Sequence, residues 1–373
     1  MLQLGFAFNF NVQRCEIEVG DEDRIINEGY RPLVALFEKH DLKADFFVSG
    51  FTSMLLQERA PDLLETIKGR VGKNFELGTY TYTHPIPQLL KPEEFSRQMQ
   101  KGLDIDRSLL KAETVGFLPP EFAYTEEMGV VLADHGIEWF VALASQIEKG
   151  LKEKGIRRDP YVPYRVSLAD GRTMVAVPAA YQLPQTPARF LKLMMKGQVP
   201  VDQVIEGVRL FAEEHEGGLL LFKRDAETIF IDMFNSGFAR TYEVMDEFLF
   251  KLSKLDFIKP TWISETIERA PLDVTISLPD YLGNTKLETF TEGAAQEIWD
   301  ATVEIRDLLI EAEKNNTHTK PIEEAWEHLL LSHNSDGRIG YWFSDWNPGE
   351  HVVAPSRKTF VEDHLEAARK ALL

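Results

Sequence analysis

The stretch "GFLPPEFAYTEEMGVVLADHGIEWFVA", residues 116–142, shows a strand, a helix and a second strand in succession. Its apolar start predicts a short buried strand, which the two prolines that follow bring to an end. Thr125 can cap a helix, because acidic residues come directly after it and apolar residues then recur at helical spacing. "IEWFVAL", residues 137–143, predicts the next strand. Glu121 therefore stands on the rim between a buried strand and a helix.

Strand and helix patterns alternate in the same way through the first 270 residues. Strands are predicted near residues 2–8, 43–50, 74–82, 114–119, 137–143 and 217–225, with a hairpin-like pair at 161–168 and 173–179. Helical spacing appears near residues 27–41, 91–111 and 241–255. Such alternation favours an α/β fold with a mostly parallel sheet wrapped by helices, either open or closed into a barrel.

The composition changes at "RAPLDVTISLPDYLGNTKLETF", residues 269–290, which carries prolines and no clear period. Helical patterns follow at residues 292–315, 320–334 and 356–373. The sequence therefore predicts a barrel domain over residues 1–270, a connection over 271–286 and a C-terminal helical domain over 287–373.

Composition excludes several classes of function. The chain has 373 residues and a formal net charge of −19, which argues against binding to nucleic acid or to an anionic membrane. Cys15 is the single cysteine, so an intrachain disulfide framework is excluded. No apolar run approaches the length of a membrane span, and the N-terminus lacks the pattern of a signal peptide. We expect a cytoplasmic protein; whether it forms a homo-oligomer stays open.

Active sites of parallel α/β folds collect at the C-terminal ends of the strands. Four predicted strands end in polar side chains, and these are Asn9, Asn11 and Gln13; Tyr80, Tyr82 and His84; Glu121; and Lys223, Arg224, Asp225 and Glu227. An acid at one strand end often only caps the next helix. Acids at two separate strand ends favour a catalytic pair.

The ordered set of motifs resembles glycoside hydrolase family 57, the α-amylase and 4-α-glucanotransferase family. Residues 116–142 are similar to its nucleophile motif, "FELGTYTYTHPIPQLL" to its third-strand motif, and "LLLFKRDAETI" to the segment of its second catalytic acid. The resemblance implies a distorted or incomplete (β/α) barrel of the (β/α)7 type with a C-terminal helical domain. It also implies an α-linked oligosaccharide or polysaccharide as substrate, Glu121 as nucleophile and Asp225 as acid/base.

The chemistry of a retaining glycosidase fits two carboxylates. One ionised acid attacks the anomeric carbon and one protonated acid releases the leaving oxygen, with about 5 to 5.5 Å between them. Because neighbouring side chains of a strand point to opposite faces, we expect Lys223 near Asp225 and Arg224 on the other face. The alternative is that Asp225 belongs to a structural ion pair.

The chain also departs from the family pattern. Asn9 and Asn11 stand where histidines are expected, Leu118 where a tryptophan is expected, and Ala226 where a glycine is expected. Asparagine can hydrogen-bond a sugar hydroxyl, but it does not titrate. This motivates a second hypothesis, a carbohydrate-binding relative with the fold and little catalysis.

A third hypothesis is a metal-dependent deacetylase, because "GTYTYTHP" also resembles the motif in which two histidines four residues apart bind a metal. Here Tyr80 replaces the first histidine, and Asn9-Phe10 stands in place of the usual pair of aspartates. Two of three ligands are missing, so the sequence predicts neither a metal site nor a cofactor. We interpret Tyr80, His84, Asn9 and Asn11 as sugar-contacting residues; for His84 a structural role before Pro85 is the alternative.

An aromatic cluster, Tyr341, Trp342, Phe343 and Trp346, lies between two helices of the predicted helical domain. Aromatic rings stack on sugars, so a helical domain over the barrel mouth would bring Trp342 or Trp346 to the substrate. Asp336, Arg338 and Asp345 would then add polar contacts. The alternative is that these aromatic residues form the core of the helical domain.

Overall fold

Ten strands form one sheet in the computed structural model, which describes residues 1–12, 20–180, 186–231, 241–283, 286–315, 319–337 and 355–372. The strands are β1 Leu2–Phe10, β2 Ala44–Val48, β3 Phe75–Thr79, β4 Gly116–Phe117, β5 Trp139–Leu143, β6 Tyr164–Ser167, β7 Thr173–Ala179, β8 Leu219–Asp225, β9 Ile258–Pro260 and β10 Thr275–Ile276. Their order is β10-β6-β7-β5-β4-β3-β2-β1-β8, with β9 paired to β1. Each pairing is parallel except that of β6 with β7, which is the predicted hairpin.

The sheet is an incomplete barrel, as predicted. Within the described residues no strand pairing joins β8 to the other end of the sheet, although the Leu219 amide donates to the Tyr161 carbonyl at 2.7 Å. Both edges of β1 are paired: β8 pairs with one edge, while β9 pairs with the first half and β2 with the second half of the other edge. β1 is a nearly continuous apolar run because it is buried on both faces, as is usual for parallel strands.

Fifteen α-helices surround or follow the sheet in the described residues. They are α1 Glu22–Arg24, α2 Arg31–Lys39, α3 Gly50–Arg59, α4 Pro61–Arg70, α5 Pro92–Ile105, α6 Glu126–Asp134, α7 Ala144–Glu153, α8 Pro187–Met195, α9 Val201–Glu214, α10 Thr241–Leu252, α11 Ile263–Arg269, α12 Glu288–Thr291, α13 Gln296–Asn315, α14 Lys320–Ser332 and α15 Pro355–Leu372. Two π-helical segments, Ile25–Tyr30 and Asp106–Leu110, adjoin α2 and α5. In the described part of the chain, no helix has the length and apolarity needed to cross a membrane.

The stretch 116–142 folds as its sequence predicts. The Thr125 hydroxyl accepts from the Met128 amide at 3.1 Å and so begins α6. β4 is only two residues long, because the prolines at 119 and 120 have no amide to continue the ladder. A Cβ atom on Gly116 would lie 2.1 Å from the Trp139 ring, so the glycine makes room for that ring.

The concave face of the sheet carries its own apolar cluster. Five strands contribute to it, through residues that include Ala7, Phe47, Val141, Val177 and Leu221, and Leu118 joins it from the end of β4. Separate clusters join the sheet to the helices outside it. The barrel interior is therefore packed, and the strand ends carry the polar groups.

The segment at 269–290 takes part in the sheet. β10 pairs with β6, and Tyr124 and Tyr281 exchange backbone hydrogen bonds of 2.9 and 3.0 Å. Neither β9 nor β10 is predicted from the sequence, because two or three residues are too few to show a period. The predicted boundaries at residues 270 and 287 stay a prediction.

The three long C-terminal helices, α13, α14 and α15, share one apolar core that includes Ile305, Trp326 and Leu365. Polar contacts join this helical unit to the barrel. The Thr83 hydroxyl and the Gln98 amide both donate to the Leu330 carbonyl at 2.8 Å. The unit is thereby attached close to the end of β3.

Candidate active site

The strands β4, β3, β2, β1 and β8 are neighbours and run parallel, so their C-terminal ends meet at one edge of the sheet. Asn9 of β1 lies directly opposite Asp225 of β8 in the register. Tyr80 and His84 follow β3, and Glu121 follows β4. The structure therefore brings together the described residues that the sequence selects as the site.

His84 connects the third strand to the helical unit. Its Nε2 atom lies 2.7 Å from the Tyr80 hydroxyl, and its Nδ1 atom lies 3.0 Å from the Ser335 hydroxyl and 3.4 Å from Asp336 Oδ2. The imidazole is buried, and both of its nitrogens contact groups of the chain itself.

Among the described residues, no three His, Cys, Asp or Glu side chains are grouped so that they could hold a metal ion.

A chain of hydrogen bonds joins β1 to β8 behind the strand ends. The Asn11 side-chain amide donates to Asp336 Oδ2 at 3.4 Å, and its backbone amide donates to the Tyr30 hydroxyl at 3.1 Å. Tyr30 in turn donates to Glu227 Oε2 at 3.1 Å. Asn11 is thus held at both its backbone and its side chain.

Backbone strain is concentrated at this edge. Glu121, Phe122, His84 and Thr81 have φ values of 54°, 52°, 57° and 65°, the left-handed region that non-glycine residues rarely occupy. Such strain clusters at sites where the surrounding structure fixes a side chain for function.

Gly283 comes close to the Glu121 side chain. A Cβ atom on this glycine would lie 3.3 Å from the Glu121 Cβ and 3.4 Å from its Oε2. The φ of Gly283 is +50°, which also favours glycine. The backbone of the segment after α11 therefore packs directly against the acid.

Burial raises the pKa of Glu121 to about 7. The interactions with His84 and Lys223 act against the rise, while the nearby carboxylates of Asp225 and Asp336 add to it. Protein surrounds the carboxyl group, although part of the residue stays accessible to solvent. Burial therefore makes the protonated form of Glu121 more favourable than that of an exposed glutamate.

Asp225 is perturbed in the opposite direction. Burial alone would raise its pKa, but the attraction of Lys223 and Arg224 and hydrogen bonds from Lys223 and Asn9 hold that pKa well below its usual range. Lys223 Nζ lies 2.8 Å from Asp225 Oδ1, which confirms the prediction that this lysine is on the face of the acid. The Asp225 side chain keeps 33 % of its surface exposed, so it is open to the site.

A third acid, Glu227, lies fully buried behind Asp225. Burial, with repulsion from Asp225, raises the pKa of Glu227 to about 8, although the Tyr30 hydrogen bond and Lys223 act against this. The sequence shows Glu227 only as a polar residue at a strand end. The sequence does not select Tyr30, because this residue lies on the apolar side of a predicted helix and the hydroxyl is the only polar group of its side chain.

Trp342 and Trp346 lie outside the described residues, as do Arg338 and Asp345. Asp336 is the member of that segment that the structure describes, and it contacts Asn11 and His84. The helical unit therefore supplies at least one side chain to the edge of the sheet where the acids lie.

Comparison with solved structures supports the fold. A 4-alpha-glucanotransferase from Thermococcus litoralis superposes with a TM-score of 0.77 at 15 % identity over 99 % of this chain, which spans 60 % of that protein. A branching enzyme from Thermococcus kodakaraensis gives 0.74 and 14 %, covering 99 % of this chain and 90 % of that one. A Thermotoga maritima alpha-amylase gives 0.69 and 12 %, covering 99 % and 92 %. At these identities the likeness shows the fold alone.

No protein of curated function matches the sequence significantly. The sequence model of glycosyl hydrolase family 57 matches residues 14–279, which is most of the chain. That match begins after β1 and ends in the segment that follows α11, so it includes the strand ends that carry Glu121 and Asp225. The chain belongs to glycosyl hydrolase family 57.

Proposed function

We propose that this chain is a retaining glycoside hydrolase or glucanotransferase that acts on α-linked oligosaccharides or polysaccharides. Glu121 is the nucleophile and Asp225 is the acid/base. The observation that carries the proposal is the placement of two acids, Glu121 and Asp225, at the C-terminal ends of parallel strands along one edge of a family 57 barrel. Their surroundings also shift the two pKa values in opposite directions, as is typical of paired acids in catalysis.

The proposed reaction has two steps. Glu121 attacks the anomeric carbon while Asp225 gives its proton to the glycosidic oxygen, so the bond to the leaving sugar breaks and an ester to Glu121 forms. Asp225 then takes a proton from water or from a sugar hydroxyl as that oxygen attacks the anomeric carbon. The ester bond breaks and the Glu121 carboxylate is regenerated; attack by water gives hydrolysis and attack by a sugar hydroxyl gives transfer. Retention requires about 5 to 5.5 Å between the two carboxyl groups, and we predict this separation with sugar bound.

Sugar contacts are proposed for Asn9, Asn11, Tyr80 and His84, with Trp342 and Trp346 stacking on sugar rings. Asn9 supplies the best support, because its Oδ1 atom is buried and has no hydrogen-bond partner among the described residues. Such an acceptor is costly to bury unless a ligand or water satisfies it. A sugar hydroxyl can donate to it.

The test begins with maltooligosaccharides and aryl α-glycosides and an analysis of their products. Glu121→Gln keeps the shape of the side chain and removes the nucleophile, so we expect at least about a 10³-fold loss of kcat with sugar still bound. Glu127→Gln, an exposed acid in the first turn of α6, is the matched control and should keep wild-type turnover. Wild-type rates in Glu121→Gln would exclude Glu121 as nucleophile.

Asp225→Asn separates the two acids. With an aryl glycoside whose leaving group needs no protonation, the first step should survive in this variant and an ester should accumulate. Digestion and mass spectrometry then identify the modified peptide. An ester on the peptide of residue 121 supports the proposed roles. An ester on the peptide of residue 225, formed in the wild type with a slow substrate, would mean that the roles are reversed.

The second candidate is a carbohydrate-binding relative with little catalysis. It is favoured by the asparagines in place of histidines and by the internal bond from Asn11 to Asp336. Calorimetric titration with maltotetraose distinguishes the two. Binding by a wild-type protein that turns over no α-glycoside would favour this candidate.

A further inference from the structure

Lys223 occupies an unusual place for a lysine. Its side chain is only 10 % exposed, and it lies on the same face of β8 as Asp225, with Nζ bonded to Asp225 Oδ1 at 2.8 Å. Buried lysines are rare unless they are paired with an acid. The bond to Asp225 satisfies the ammonium group, but it occupies an oxygen of the acid that the proposed function needs as a proton donor.

The ammonium group also lies near the residue that follows the other acid. Lys223 Nζ lies 5.6 Å from the centre of the Phe122 ring, and Phe122 directly follows Glu121. Its positive charge acts on Glu121 as well as on Asp225 and Glu227. The lysine therefore lies where its charge can stabilise the ionised form of either acid of the proposed catalytic pair.

The hydrogen bonds that Asp225 accepts from Lys223 and Asn9 favour its ionised form. The proposed attack on the sugar instead requires an ionised Glu121 and a protonated Asp225. Moving one proton from Glu121 to Asp225 meets this requirement and leaves the net charge unchanged. That transfer is favoured when the ammonium group leaves Asp225 and approaches Glu121.

We infer that Lys223 is a positioning residue that binds Asp225 and moves towards Glu121 when a sugar enters, so that one proton passes from Glu121 to Asp225. The inference rests on the proposed function. The sugar would act by hydrogen-bonding Asp225 through the hydroxyl or glycosidic oxygen nearest to it.

Other charged groups face this region and contribute to its titration. Arg224 follows Lys223 on the same strand, Glu227 lies behind, and His84 and Asp336 lie on the side of Glu121. Glu227 also responds to Lys223, so its pKa rises further in a variant that lacks the ammonium group. A comparison with Lys223→Arg, which keeps the positive charge, separates the loss of charge from other effects of the substitution.

The first experiment compares the wild type, Lys223→Met and Lys223→Arg by the pH dependence of kcat/KM on an aryl α-glycoside. Methionine fills the space without charge, so both limbs of the profile should move to higher pH by about 1 unit or more, because both acids lose a positive neighbour. Arginine keeps the charge and should restore limbs close to those of the wild type. A rate that falls in Lys223→Met with unmoved limbs would overturn the inference and leave the proposed function standing.

The second experiment needs no turnover. A crystal structure of the wild type with an S-linked maltotetraose, which is bound without being cleaved, should show Lys223 Nζ no longer bonded to Asp225. If the bond persists in that complex, the inference is wrong whatever the activity. If the wild type cleaves no α-glycoside and yet the lysine moves, the displacement is supported and the proposed catalysis fails. If maltotetraose does not bind, both fail.

Discussion

Asn9 and Asp225 lie side by side on the paired strands β1 and β8, and the Asn9 side chain hydrogen-bonds the Asp225 carboxylate. The Oδ1 atom of Asn9 has no partner in the described chain, so its Nδ2 atom is the donor. One amide therefore meets both needs of the site: its nitrogen supports an ionised acid, and its oxygen is left to accept from a ligand.

Replacing Asn9 by alanine should weaken sugar binding. The variant loses an acceptor worth about 1 kcal/mol, so we expect the Kd for maltotetraose to rise roughly 3- to 10-fold in calorimetric titration. Asn27→Ala, at an exposed position, is the control and should bind as the wild type does. An unchanged Kd in Asn9→Ala would remove Asn9 from the sugar site.

Glu227→Gln should make the stability of the protein less dependent on pH. The buried carboxyl has a pKa of about 8, above its unfolded value, so its contribution to stability is complete below the unfolded pKa and is lost as the pH rises to about 8. Glutamine resembles the protonated form and keeps an oxygen for Tyr30. We expect the variant to be more stable than the wild type at pH 9, by on the order of 2 kcal/mol.

Urea denaturation at pH 6 and pH 9 measures this difference. Glu216→Gln removes an exposed acid from the turn before β8 and should leave the free energy of unfolding unchanged at both pH values. If Glu227→Gln were less stable than the wild type at pH 9, the ionised carboxylate would have to be a favourable partner in the folded protein.

The sequence predicts the strand ends better than it predicts what lies behind them. Asn9, His84, Glu121 and Asp225 could be selected because each ends an apolar run, and a parallel sheet places such ends at one edge. Tyr30 could not be selected, because its hydroxyl meets Glu227 only through the packing of a helix on the sheet. The contact between Asp336 and His84 could not be predicted either, because it joins residues that are 252 positions apart in the sequence.

His333→Ala should loosen the helical unit from the barrel. Glu94 of α5 is fully buried, with His333 Nε2 at 3.2 Å from Oε1 and Arg306 Nη1 at 3.4 Å from Oε2. Removing one partner from a buried charge network typically costs about 3 to 5 kcal/mol. His328→Gln, at a partly buried histidine of α14, is the control and should cost less than about 1 kcal/mol.

The contact between the helical unit and the barrel should also weaken in acid. Burial would raise the pKa of Glu94, but His333, the Lys91 amide and Arg306 together lower it. A lowered pKa gives stability that is present above the unfolded pKa and is lost as the pH falls through the folded pKa. Limited proteolysis between pH 7 and pH 4 should therefore release the helical unit at low pH, and at higher pH in His333→Ala. Equal resistance of the two proteins at all pH values would contradict this role.

Asp45→Asn tests two opposing effects at the other end of the barrel. Asp45 of β2 is buried, and the amide of Ile263, the first residue of α11, lies 3.2 and 3.3 Å from its two oxygens. A helix N-terminus favours an anion. Burial and the neighbouring Glu76, which accepts from the Ser264 amide at 3.2 Å, act the other way and raise the pKa of Asp45 well above its usual value.

If burial and Glu76 dominate, the folded protein prefers a protonated Asp45. Stability is then complete below the unfolded pKa and declines as the pH rises, so asparagine should match the wild type at pH 4 and be more stable at pH 8. Asparagine can accept from the Ile263 amide and donate to Glu76, as the protonated acid does. Thermal unfolding at the two pH values measures the effect, with exposed Asp300→Asn as control. A lower Tm for Asp45→Asn at pH 8 would show that Asp45 acts there as the ionised partner of α11.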